Sequence, residues 1–279
     1  MERILEWNKY LDTAAKMGSE GIVMLKNDNN ALPLDIDKEV AVFGRIQCHY
    51  YKSGTGSGGM VNVTKVVNIL DGLIDNGVKV NEKLLDTYRK WDKENPFDLG
   101  EGWGGEPWSQ KEMPLDEGLV KETAKSCETA IVIIGRTAGE AQDNRLEAGS
   151  YLLSDDEIAM LTVVREHFKK VVLLLNVGNI IDMTDINRIA PDSVLYVGQG
   201  GMTGGKGTAD VLIGKVSPSG KLPDTIAYKV SDYPSDANFG REENRDIYAE
   251  DIYVGYRYFE TFAKEKVLYP FGFGLSYTA

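Results

Sequence analysis

The sequence predicts an α/β fold: a three-layer sandwich with a mostly parallel sheet of about six strands and helices on both faces. Three observations carry that expectation. Short continuous apolar runs recur at residues 40–44, 131–134, 171–177 and 194–197, and runs of that length read as parallel strands buried on both faces. Helical segments with recognisable caps separate several of them. Finally, the run AIVIIGRTAGE at residues 130–140 passes from strand into a polar loop, as a chain does at the carboxyl edge of an open sheet.

Along the chain, Ile4, Trp7, Leu11, Ala14, Gly18, Ile22 and Leu25 share a helical period, so an amphipathic helix opens it. A turn at residues 27–30 and an extended approach from Pro33 lead to the first strand. Ser154 and Glu157 have the spacing of a capping box, with Asp155 and Asp156 in the first turn. Ile158, Leu161, Val164 and Phe168 mark that helix's inner face, and Lys169 and Lys170 close it. Residues 211–213 end a further helix, for which Gly214 is the expected cap. Two long irregular stretches interrupt the alternation, at 95–114 and 217–244; loops of that length are usually functional or interfacial. The expected organisation is a single domain, with a lead-in helix and linker over 1–38, a core over 39–225 and an aromatic tail over 226–279.

A net charge of −12 argues against nucleic-acid and anionic-membrane partners, whose phosphates call for Lys and Arg. No apolar stretch is long enough for a membrane span, and MERILEWNKYLD does not read as a signal peptide. Cys48 and Cys127 have no metal or redox spacing, and His49 and His167 are too few for most metal sites. A cytoplasmic protein without metal or other cofactor is expected.

Two glycine-rich runs invite a phosphate reading. SGTGSGG, residues 53–59, lies too far past its strand for a dinucleotide fingerprint. GGMTGGK, residues 200–206, matches a P-loop until Gly207, where a magnesium-binding hydroxyl belongs. A nucleotide-binding domain is therefore the weakest reading, and ATP, GTP and NAD are not expected to bind.

Carboxylate chemistry remains. Glu140 is lifted off a strand end in a loop with Arg136 and Asp143, a place suited to acid–base work. Glu101, Glu106 and Glu147 are its rivals. Trp103 and Trp108 lie among glycines and would either stack on a sugar ring or pack against another domain.

Several segments are similar to the α/β-sandwich domain of glycoside hydrolase family 3, which includes many β-glucosidases. EGIVMLKNDNNALPL resembles its helix-to-strand entry, and GRTAGEAQDN followed by YLLSDDE its acid–base loop and next helix. GQGGMTGGKGTADVLIGKVSPSGKLPDT, YVGYRYF and YPFGFGLSYT resemble its later elements in order. The resemblance implies retaining hydrolysis of a glycoside or oligosaccharide, with this domain supplying the acid/base. The aspartate nucleophile would come from a (β/α)8 barrel, which needs roughly 250 residues and has no room here. A fragment of a longer enzyme, inactive alone and in need of that barrel, is the implied state, and Met1 just ahead of the opening helix favours the sandwich preceding the barrel. Gly139-Glu140 falls on the family's Gly-Glu pair, while Ala141 departs from its usual glycine. Tyr51, Ser53, Thr55, Arg136, Asp143 and Trp103 become the candidate substrate contacts. A non-catalytic carbohydrate-binding or interaction module of the same fold is the competing expectation. Without its neighbours the domain should leave part of the 103–108 loop or the aromatic tail uncovered.

Overall fold

Five strands build the main sheet: β1 (Val23–Asn27), β2 (Val40–Phe43), β3 (Thr129–Arg136), β4 (Lys170–Val177) and β5 (Ser193–Tyr196). The computed structural model describes residues 6–57, 59, 61–140, 143–240, 244–245 and 247–278. Ile4, Gly58 and Ala141, all used in the sequence reading, lie outside the described residues. The strand order is β1-β5-β4-β3-β2, with β2 to β5 parallel and β1 antiparallel to β5. A further pair, β6 (Ile226–Ala227) and β7 (Val267–Tyr269), forms a separate antiparallel ribbon. The main sheet therefore has five strands rather than the six or so expected.

In chain order the helices are α1 (Trp7–Glu20), α2 (Ile69–Asp75), α3 (Glu82–Glu94) and α4 (Glu117–Ser126). Then come α5 (Asp155–His167), α6 (Thr184–Ile189), α7 (Gly204–Leu212) and α8 (Tyr256–Phe262). Successive strand residues face opposite ways, and the core divides accordingly. Val132, Ile134, Leu173 and Leu175 pack with Tyr88 of α3, Val120 of α4 and Leu161 of α5. Ile131, Ile133, Val172 and Leu174 pack with Ile69 of α2 and Val211 of α7 on the other face. Both faces are covered, which is why these strands read as unbroken apolar runs.

The opening helix stops earlier than its periodicity predicts. Residues 22–25 are all buried, and from Val23 the chain runs as β1 beside β5. An apolar run this short satisfies helix and strand patterns alike, and pairing with the open edge of β5 decided it. The edge of β1 is closed in turn by Leu275, whose amide donates to Met24 O at 2.8 Å. The capping box is present at α5, but the helix ends at His167 and Lys170 already belongs to β4.

GGMTGGK has a packing role. A side chain on Gly205 would put its Cβ 2.2 Å from the Asn68 carbonyl carbon, so only glycine lets α7 lie this close to the start of α2. Lys206 pairs with Asp210 one turn on, at 3.1 Å. Gly205→Ala is expected to lower stability by about 1–3 kcal/mol, because backbone rather than a flexible side chain must move. Urea unfolding of the two chains measures it, and an unchanged midpoint would contradict the close approach.

Candidate active site

The carboxyl ends of β2, β3 and β4 meet at one edge of the sheet, and three loops are stitched together there. Asn176, wholly buried at the end of β4, accepts from Tyr51 N at 2.8 Å and donates to Tyr51 O and Gly198 O at 3.1 and 2.7 Å. It thus fixes the loop that follows β2. Farther along, Thr55 N donates to Ala138 O at 2.6 Å, and Thr55 bridges Gly139. Past β3, Thr137 N donates to Trp108 O at 2.8 Å, which ties down the 95–114 stretch. The sequence reading missed Asn176, although an amide in the otherwise apolar run VVLLLNV was a visible signal.

Glu140 follows this junction and is exposed. Its Oε2 lies 3.5 Å from Ser57 N, and its carbonyl 3.5 Å from Thr55 Oγ1. Gly56, at φ +87°, allows that contact, since a Cβ there would sit 2.6 Å from the Glu140 Cβ. Gly104 also comes near, where an added Cβ would lie 3.6 Å from Glu140 O, so the segment carrying Trp103 borders the same loop. Trp103 is 52% exposed, whereas Trp108 is half-buried with the Arg145 guanidinium 5.0 Å over its ring.

The other sequence candidates separate. Ser53 Oγ accepts from Lys52 Nζ at 3.0 Å, and Tyr51, Lys52, Ser53, Phe97 and Glu106 line a cleft of 420 Å3. Tyr51 is buried, and burial together with nearby Glu106 pushes its hydroxyl up. Glu106 is half-buried, its carboxyl raised by burial and then by Asp98, with Lys52 opposing. Glu101 and Glu147 are exposed. Asp143 instead lines a separate 480 Å3 cavity with Ser235, Phe239 and Tyr248 of the tail. In that tail Tyr248 is 88% exposed and Phe239 65%, whereas Phe259 is buried.

Arg136 needs correcting as a substrate contact. Its guanidinium is buried and bidentate on Glu157, at 2.5 and 2.6 Å, with Nε on Ser150 O at 3.0 Å. It braces the end of β3 against the start of α5 and has no face left for a sugar.

A second buried carboxylate anchors the 95–114 stretch. Glu112 accepts from Arg45 N at 3.2 and 3.0 Å and from Met113 N at 2.8 Å, and burial lifts its carboxyl to about 7. A folded-state value above the unfolded one means the native protein binds the proton more tightly. Its contribution is therefore fully present below pH 4.5 and lost as pH rises toward 7, with an amplitude of roughly 3 kcal/mol. Glu112→Gln keeps an acceptor for both amides and removes the titration. Its stability relative to the parent should climb between pH 5 and 8 in urea titrations, and a pH-independent difference would refute the assignment.

Among the described residues no group of three or more His, Cys, Asp or Glu side chains could hold a metal ion, and no helix is long and apolar enough to cross a membrane. Residues 22–277 match the profile of the glycosyl hydrolase family 3 C-terminal domain. The chain belongs to that family. This family 3 domain is 64% identical over 274 residues to a β-glucosidase of Ruminococcus albus, a match covering 98% of the chain and 29% of that relative. The crystal structure of a β-glucosidase from Paenibacillus barengoltzii matches with a TM-score of 0.95 at 54% identity, over 99% of this chain and 30% of that one. β-Glucosidase 3B from Thermotoga neapolitana, in complex with glucose, matches with a TM-score of 0.88 at 35% identity, over 98% and 39%. The domain thus spans between 29% and 39% of these proteins' lengths.

Proposed function

We propose that this family 3 domain supplies Glu140 as the general acid/base of a retaining, β-glucosidase-like glycoside hydrolase acting on terminal β-linked sugars. One observation carries the reading: an exposed carboxylate stands just past the carboxyl end of a central parallel strand, where the loops of three strands converge. Retaining hydrolysis needs two carboxyl groups about 5–5.5 Å apart, one protonating the leaving oxygen and one attacking the anomeric carbon. The attacking aspartate is assigned to a (β/α)8 barrel elsewhere in the polypeptide, so this domain alone should not turn over. An acid working near neutral pH is held protonated by desolvation and neighbouring negative charge. Glu140 stands in solvent here, so that desolvation must come from the surface that closes over it. The reducing compartment read from two unpaired cysteines, the cytoplasm, belongs to the same proposal.

The test is chemical rescue in the full-length enzyme. With Glu140→Gly, azide should restore turnover of an activated aryl glucoside and give the β-glycosyl azide. The same product from Glu147→Gly or Glu106→Gly, but not from Glu140→Gly, would move the role. Rescue of none, with binding retained, would favour a sugar-binding module.

A further inference from the structure

The geometry points to the cleft between the Tyr51–Ser53 segment and the Phe97–Glu106 stretch as the seat of the departing sugar, with Lys52 and Glu106 selecting leaving groups that carry hydroxyls. This rests on the acid/base reading of Glu140. In retaining hydrolysis the acid touches the glycosidic oxygen, which departs with the leaving group, while the nucleophile touches the anomeric carbon. The groups that hold what departs therefore lie on the acid's side of the scissile bond, and the clefts bordering the Glu140 loop are the places on this domain to look for them.

The loop over residues 53–59 connects the two places. Its Ser57 amide lies 3.5 Å from the Glu140 carboxylate, and its Ser53, Gly54 and Gly59 line the cleft. At 420 Å3 the cleft falls within the range of small-molecule sites, about 300–1,000 Å3. Its walls offer what a pyranose needs. Phe97, with the His49 ring at 4.9 Å, Tyr51 at 5.9 Å and the Arg45 guanidinium at 5.7 Å, contributes the apolar ring surface left to the cleft lining. Lys52 Nζ donates to Ser53 Oγ and Gly59 O, each at 3.0 Å, and an ammonium has a third donor to offer. Glu106 supplies a half-buried acceptor and feels the Lys52 charge, so a donor and an acceptor from separate segments address one space. Hydroxyls bridge such a pair, since each can donate and accept at once; a plain aryl aglycone meets neither.

The experiment compares cellobiose with phenyl β-glucoside in the full-length enzyme, for Glu106→Gln and, from the opposite wall, Lys52→Met. Each should lower the cellobiose-to-phenyl ratio of kcat/KM by roughly tenfold or more, the scale of a lost hydrogen bond to a charged group. Should Glu106→Gln fold poorly by circular dichroism, Lys52→Met carries the test. Ratios unchanged, whether both activities fall together or neither falls, would overturn the proposal. Azide rescue of Glu140→Gly reads out the acid/base assignment separately, so the two can fail independently.

Discussion

Glu140→Gly in the full-length enzyme is expected to slow glycosides with poor leaving groups by about 10²–10⁴-fold, the usual contribution of a positioned acid. Activated aryl glucosides should lose far less in their first step, because their departing oxygen needs little protonation. The expected signature is a steep dependence of kcat/KM on leaving-group pKa that the parent enzyme lacks. The fold gives a reason to expect a clean result. Glu140 is exposed, and removing its side chain leaves the Thr55 N to Ala138 O bond and the Thr55–Gly139 bridge in place. Equal losses for both classes would show that the residue supports the loop and does not donate the proton.

Glu157→Ala should have the largest effect on stability, about 3–5 kcal/mol, because it strands a buried guanidinium without its counter-charge. Arg136 would keep Ser150 O, Gly135 O and Leu152 O as acceptors, and none of these neutralises it. The same change removes half of the α5 capping box, in which Ser154 N donates to Glu157 Oε2 at 2.8 Å. Replacing both partners, as Arg136→Met with Glu157→Leu, should recover part of the loss: the buried charge is gone, but the Ser150, Gly135 and Leu152 carbonyls lose their donor. Equilibrium urea unfolding of the 279-residue chain measures all three. A loss below about 1 kcal/mol for Glu157→Ala would place the pair with exposed ion pairs of little worth.

Some features were readable because their causes are local. A strand buried on both faces must be apolar at every position, so β2, β3, β4 and β5 show in the sequence as runs. A helix start needs an acceptor for its free amides, so Ser154 and Glu157 disclose α5. The placing of Glu140 past a strand end follows from the same logic. By contrast, Arg136 looked like a loop cation facing a ligand because the sequence does not say where a guanidinium at a strand end will point.

The sequence by itself determined the class of fold, the parallel core strands and the neighbourhood of the candidate carboxylate, all of which rest on periodicity and on capping within a few residues. Only the tertiary structure decided which polar groups meet. It turned Arg136 inward to Glu157, made residues 23–27 a strand against β5, and sent Asp143 to the tail's cavity. It also brought Lys52 and Glu106 to one cleft and set Asn176 under the loop between β2 and the site. Contacts between residues distant in the chain depend on how whole faces pack, and a buried charge takes whichever partner that packing brings within reach.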